Sequence, residues 1–209
     1  FIKDLKVFHT FTKTDVAHRN FELVGNTEHY ATFGCTIEFC DSEGCHLSCF
    51  SELFCLLKSI LEHAGHKVGL IGTIQNMIGD RVLPAARTTP DTYDLQSLFA
   101  LMVAEGCDYC VMEVSSHALH QRRVAGCVYE VGVFTNLTQD HLDYHGTMEN
   151  YLAAKKRLFF QCRHAIINAD DRWADTLTDG IPGPITRYSA KLDAADFIAK
   201  NIEYKNGKY

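Results

Sequence analysis

A chain of 209 residues, 46% hydrophobic and 22% charged, has the composition of a globular protein and is long enough for one domain with a substantial core. Its formal net charge of −6 excludes a nucleic-acid binder driven by phosphate neutralisation, although Gln121-Arg122-Arg123 makes a local basic spot. No stretch approaches the ~18 apolar residues of a membrane span and no signal peptide opens the chain, so we expect a cytoplasmic protein with no membrane or nucleic-acid partner.

The first 50 residues stand apart. Cys35, Cys40, Cys45, Cys49 and Cys55 fall early in the chain, with eight of its 13 phenylalanines (positions 1, 8, 11, 21, 33, 39, 50 and 54). Their spacing matches no paired-knuckle zinc signature. An odd total of nine cysteines on an α/β pattern argues against a disulfide scaffold. Residues 1–50 show neither a helical stripe nor a convincing strand–turn–helix, and are read as a separate Cys/Phe-rich segment.

From residue 51 the pattern is regular. Leu53, Leu56, Leu57, Ile60 and Leu61 make one helical face, and Gly65 is a natural helix terminator. Lys67–Gly72 reads as a strand, and Asp94 as the cap of a helix with stripe Leu95, Leu98, Phe99 and Met102, ending at Gly106. Tyr109–Val114 reads as a buried strand, His117–Val124 as a short helix and Val128–Phe134 as another strand. Thr147 caps a helix over Met148–Phe160, and Ala165–Asn168 is a further strand. Gly180–Pro184 makes a turn before strand-like Phe197–Tyr204. Strands alternating with helices predict a three-layer α/β domain with a mostly parallel sheet over 51–209, incomplete at both ends.

Two apolar runs end in polar clusters, Glu113-Val-Ser115-Ser116-His117 and Thr135-Asn136 followed by Asp140-His141-Leu-Asp143. In a parallel sheet the carboxyl ends of strands are where ligands bind. Glu113 is a hard oxygen donor suited to Mg²⁺, and His141 is a less usual partner for it. As a lone cluster, Asp140-His141-Leu-Asp143 is equally a turn satisfying its own backbone. Thr88 and Thr89 place two hydroxyls before Pro90, and with Ser115, Gln121 and Arg123 they are suited to gripping an anionic substrate. Cys107 and Cys110 have redox-motif spacing, but Cys110 enters a buried strand, so both read as core thiols. Lys155 lies on the inner stripe with Tyr151, Leu152, Leu158 and Phe159, where a lysine either snorkels to water or meets an anion.

The segments HAGHKVGLIGTI, TTPDTYDLQ, VMEVSSHALHQRRV, VFTNLTQDHLDYHGTMENYLAAKKRLF and INADD closely resemble the Mur ligase family over about three-quarters of the chain. The resemblance implies an ATP-dependent ligase that adds the third amino acid, lysine or diaminopimelate, to UDP-MurNAc-L-Ala-D-Glu in peptidoglycan synthesis. It implies substrate contacts from Thr88, Thr89, Ser115, Gln121 and Arg123, and magnesium ligands at Glu113 and His141. Lys155 matches a lysine carried as a carbamate, a further ligand for Mg²⁺. Asn168 and Asp171 match the segment lining ATP.

The family's phosphate loop, GTNGKTT, should fall at His46–Glu52, where Phe50 stands in the lysine's place and both glycines are missing. A loop without glycine cannot wrap its N–H groups around phosphate. The family's amino-acid-binding C-terminal domain is expected to be absent. The expectation is therefore a chain inactive as a ligase, either a fragment or altered frame of a normal ligase or a diverged relative. The alternative is a non-catalytic module that binds the UDP-sugar precursor or, through the early cysteines, a metal.

Overall fold

A computed structural model describes residues 6–11, 48–191 and 194–200. Its elements in chain order are β1 (Lys6–Phe11), α1 (Ser48–His63), β2 (Val68–Ile71), β3 (Gln75–Ile78), β4 (Arg81–Pro84), α2 (Thr92–Ala104), β5 (Tyr109–Glu113), α3 (Ser116–His120) and β6 (Tyr129–Phe134). These are followed by α4 (Leu142–His145), α5 (Met148–Lys156) with a 3-10 turn over Arg157–Phe160, β7 (Cys162–Asn168), α6 (Ala174–Thr178), β8 (Ile185–Ser189) and β9 (Phe197–Ile198).

Among the described residues the strands form one sheet in the order β4-β3-β2-β5-β1-β6-β7-β8-β9. All neighbours from β2 to β9 pair parallel; β3 and β4 are antiparallel additions at one edge. The mostly parallel α/β expectation is met. Alternation along β2 and β5 splits the core between two faces. Val68, Leu70 and Val111 face Phe54, Leu57 and Leu61 of α1, whereas Ile71, Cys110 and Met112 join the larger core with Leu95, Phe99 and Met102 of α2. Helices cover both faces, as a buried parallel sheet requires.

Several elements form for the reasons legible in sequence. Gly65, at φ 91°, ends α1 with His66 N–H donating to Leu61 O, a Schellman closure. The Thr147 hydroxyl accepts from Asn150 N–H at 3.2 Å and caps α5. Cys107 and Cys110 are buried as expected, at 7% and 0% exposure.

Four readings need correction. The face of α1 turned to the sheet is centred on buried Phe54 and Lys58, with Leu57 and Leu61 partly buried beside them, and Ile60 of the expected stripe is exposed. Phe54 outcompetes Leu53 because its larger ring fills the space over Val68 and Val111. Asp94 does not cap α2; Asp91 occupies that position, and Asp94 lies in the first turn, where its charge suits the helix dipole. The β3–β4 hairpin, turning at Gly79 with φ 56°, and strand β8 were not expected.

The fourth correction concerns residues 1–50. Lys6–Phe11, in a segment read as having no convincing strand–turn–helix and as separate from the α/β domain, forms β1 at the sheet centre between β5 and β6. Of the expected position of the phosphate loop, the described residues Ser48–Glu52 belong to α1. The early cysteines Cys35, Cys40 and Cys45 and the strand expectation beyond residue 200 lie outside the described residues.

Candidate functional site at the carboxyl edge of the sheet

The chain crosses from one side of β1 to the other between β5 and β6, which makes the carboxyl edge there a topological switch point. Register sets what meets at that edge. Thr10 is level with Glu113, Phe11 with Phe134, and Ile71 with Met112. Glu113 therefore ends β5 beside the bend that follows β2, and Thr73 of that bend reaches it. Thr73 Oγ1 lies 2.7 Å from Glu113 Oε2 and 3.1 Å from Thr88 Oγ1. A hydroxyl carries one proton, so Thr73 donates to the carboxylate and accepts from Thr88.

The other expected substrate residues continue this network. Thr89 is 1% exposed; its hydroxyl donates to Glu113 O at 3.0 Å and accepts from Ser115 N–H at 2.9 Å. Ser115 caps α3, its Oγ accepting from Ala118 N–H at 3.2 Å. Arg123 donates from Nη1 to Thr89 O at 2.7 Å and from Nε to Gln121 Oε1 at 2.9 Å, with Asp91 at 3.7 Å. Gln121 Nε2 in turn donates to Tyr144 Oη at 3.3 Å, and His120 Nδ1 lies 2.9 Å from the same hydroxyl. Thr88, Thr89, Ser115, Gln121 and Arg123 are thus brought together, joined to Glu113 and to α4.

The second polar cluster closes round the same place through its rings. His141 stands at the start of α4 with φ 55°, a left-handed conformation that a side chain with a Cβ adopts at a cost. Its Nε2 is 3.0 Å from Asp140 Oδ2. Its ring meets His117 edge-on at 5.0 Å and Tyr151 at 6.0 Å. Lys155 Nζ sits 5.2 Å from the Tyr151 ring centre, and Lys155 is buried at 5% exposure on the expected stripe. Burial raises the Glu113 carboxyl above its ordinary range, opposed by hydrogen bonds from Thr73 and by the positive charge of Lys155. The positive charge of the inner lysine thus acts on Glu113.

The left-handed backbone gives a direct prediction. His141→Gly is expected to be about 1 kcal/mol more stable than His141→Ala in urea unfolding, because only glycine relieves that conformation. Equal stability of the two variants would remove the argument that the backbone is held there to aim the imidazole.

Asn168 and Asp171 act as a brace between loops. Asn168 Nδ2 donates to Thr135 O at 2.7 Å, and its Oδ1 accepts from Asp170 N–H at 3.0 Å. Asp171 accepts from Leu137 N–H and Trp173 N–H, each at 2.8 Å. This fixes the loop after β6, where the buried Thr135 Oγ1 and Asn136 Oδ1 have no hydrogen-bond partner among the described residues. Such atoms call for a ligand or water.

The donor set suits one kind of metal. No group of three carboxylate, imidazole or thiol ligands converges among the described residues, which argues against a self-contained zinc-type cage. A hard carboxylate oxygen such as that of Glu113 fits Mg²⁺, which keeps several waters and takes substrate oxygens. Lys155 joins such a set only as an anion, since an ammonium has no lone pair to give. Sequence reasoning missed Thr73 and Tyr144. A single loop threonine carries no periodic signal, and only strand register reveals that Gly72 is level with Glu113, with Thr73 one residue beyond it.

Comparison with known proteins bears on the family and the fold. The Mur ligase middle domain model matches residues 54–209. The UDP-N-acetylmuramoyl-L-alanyl-D-glutamate–2,6-diaminopimelate ligase of Caldanaerobacter subterraneus subsp. tengcongensis is 51% identical over 149 residues, 71% of this chain and 31% of that protein. The enzyme of the same name from Clostridium perfringens is 49% identical over 158 residues, 73% of this chain and 32% of that one. A solved structure bearing that ligase name superposes with a TM-score of 0.70 at 27% identity, over 97% of this chain and 36% of the other. MurF from Acinetobacter baumannii shares the fold, with a TM-score of 0.57 at 16% identity over 97% of this chain and 34% of that one. The chain spans about a third of the length of the curated relatives it matches. With the middle-domain match running from Phe54 to the last residue and relatives about half identical over most of the chain, this protein belongs to the Mur ligase family.

Proposed function

We propose that this chain is the precursor- and magnesium-holding part of a ligase that adds the third amino acid to UDP-MurNAc-L-Ala-D-Glu in the cytoplasm. The observation that carries the proposal is the hydrogen-bonded chain running from Tyr144 through Gln121, Arg123 and Thr89 to Glu113. It ties a set of anion-gripping groups to the backbone of Glu113, whose carboxylate is held by Thr73. Relatives about half identical are named for diaminopimelate, which favours it over lysine as the amino acid added.

The residues divide by what their atoms have left to offer. Thr89 is used up internally and acts by holding its neighbours. Arg123 uses one Nη1 proton and its Nε proton inside the protein, and its remaining N–H groups suit a carboxylate or phosphate of the precursor. The Thr88 and Ser115 hydroxyls and Gln121 add shorter-range selection. Glu113 and His141 would hold Mg²⁺, joined by Lys155 once it carries a carbamate, and the ion would neutralise the negative charge of precursor and nucleotide. Asn168 and Asp171 would shape the loop against ATP. The phosphate loop is missing from the sequence, so the chain binds precursor without turning over ATP.

Calorimetry tests this with Arg123→Ala. Losing a charge-assisted contact is expected to weaken UDP-MurNAc-L-Ala-D-Glu binding roughly 10- to 100-fold. Phosphate release is expected at background with ATP, precursor and diaminopimelate present. Unchanged affinity contradicts the role of Arg123, and release above background contradicts the loss of turnover.

A further inference from the structure

We propose that Thr73 is the positioning residue for the metal-binding carboxylate. Its hydroxyl holds Glu113 Oε2 and thereby fixes which oxygen Glu113 presents to a divalent cation. The inference rests on the magnesium reading of Glu113 and deepens it.

The backbone makes this contact possible. β2 and β5 run parallel with Ile71 opposite Met112, so Gly72 is level with Glu113 and the chain must bend immediately afterwards. An added Cβ at Gly72 would meet only the Gln75 backbone oxygen, at 3.8 Å, and the bend carries the Thr73 hydroxyl to the Glu113 carboxylate. The resulting 2.7 Å contact joins residues 40 apart in sequence. It is a charge-assisted bond, roughly twice as strong as one between neutral groups.

One charge and one hydrogen bond compete for the same carboxylate. The ammonium of Lys155 attracts Glu113 from within the core, while Thr73 holds it from the bend at the sheet edge. Without the threonine, the carboxylate would be free to turn fully onto the lysine and offer less to a cation. Thr88, 3.1 Å from the Thr73 hydroxyl, orients that hydroxyl by donating to it. One bond sequence therefore connects a precursor-gripping hydroxyl, Thr73 and the metal carboxylate. Groups that orient metal ligands typically change affinity 10- to 100-fold when removed.

The test uses Mn²⁺ as the probe, followed by electron paramagnetic resonance with the full chain and UDP-MurNAc-L-Ala-D-Glu. Thr73→Val is nearly isosteric and is expected to weaken Mn²⁺ binding about tenfold or more. Thr73→Ser keeps the hydroxyl and should stay within about twofold of the parent. Glu113→Gln should abolish binding. Thr73→Val binding like the parent while Glu113→Gln fails would overturn the proposal and leave the magnesium reading intact.

Failure of the parent itself to bind Mn²⁺ would instead sink the magnesium reading. A metal-free measurement then decides the role of Thr73, namely the carbon-13 resonance of the Glu113 carboxylate at neutral pH. It should move in Thr73→Val and not in Thr73→Ser. An unmoved resonance in Thr73→Val overturns the proposal whatever the metal does.

Discussion

Acidification from pH 6.5 to pH 4 is expected to remove roughly 3 kcal/mol of stability through His145 alone. His145 is 7% exposed, its Nε2 lies 2.9 Å from Ser116 Oγ, and its ring stacks on Tyr151 at 5.1 Å. Burial, with the positive potential of His117, His120, His141 and Lys155, pushes its pKa down to about 4. The folded value is thus below the unfolded one near 6.5, and between the two the unfolded chain binds the extra proton. Stability from this group is complete above about pH 6.5 and lost as pH falls towards 4. Burial lowers the pKa of His117 too, which adds in the same direction. Glu113 acts oppositely. Its raised pKa lets the folded state hold a proton that the unfolded chain has released, so its term weakens as pH rises. Urea unfolding of the parent and His145→Gln across this range separates these terms. The variant should show a distinctly flatter profile, and parallel profiles would remove His145 as the cause.

Gly132→Val should cost about 3 kcal/mol, the upper part of the range for overpacking a core. Gly132 lies in β6, paired on one side with β1 and on the other with β7, so its backbone cannot retreat. A Cβ there would collide with Cys162 Sγ and come within 3.4 Å of the Phe159 ring. Phe159 is fully buried on the inner stripe that carries Lys155, so the strain would reach the candidate site. Cys162→Ala should recover part of the loss, because it removes the atom in the way. Additive costs in urea unfolding would show that the two positions do not compete for space.

Much of this was legible in sequence because its cause is local. Thr147 caps α5 because a hydroxyl before a helical stripe satisfies an otherwise unpaired N–H. Lys155 could be placed on an inner face by spacing alone, and it is buried there. Glu113 and the clusters after β5 and β6 stand at strand ends, where the sequence placed them. What escaped depends on partners distant in sequence. The face that α1 buries is chosen by Phe54 fitting Val68 and Val111. β1 gains its identity only by lying between β5 and β6, with no pattern of its own. Thr89 looked like a ligand contact, and its burial under Glu113 and Ser115 makes it a brace. Thr73 needed strand register to be seen at all.

We propose that the carboxyl edge of this sheet holds the UDP-MurNAc-dipeptide without help from a phosphate loop. Amide hydrogen exchange of the full chain, with and without UDP-MurNAc-L-Ala-D-Glu in Mg²⁺ and no nucleotide, tests it most directly. The account predicts slowed exchange over residues 87–91 and 115–123, with β8 and β9 unchanged. Exchange that is the same with and without the precursor would contradict it.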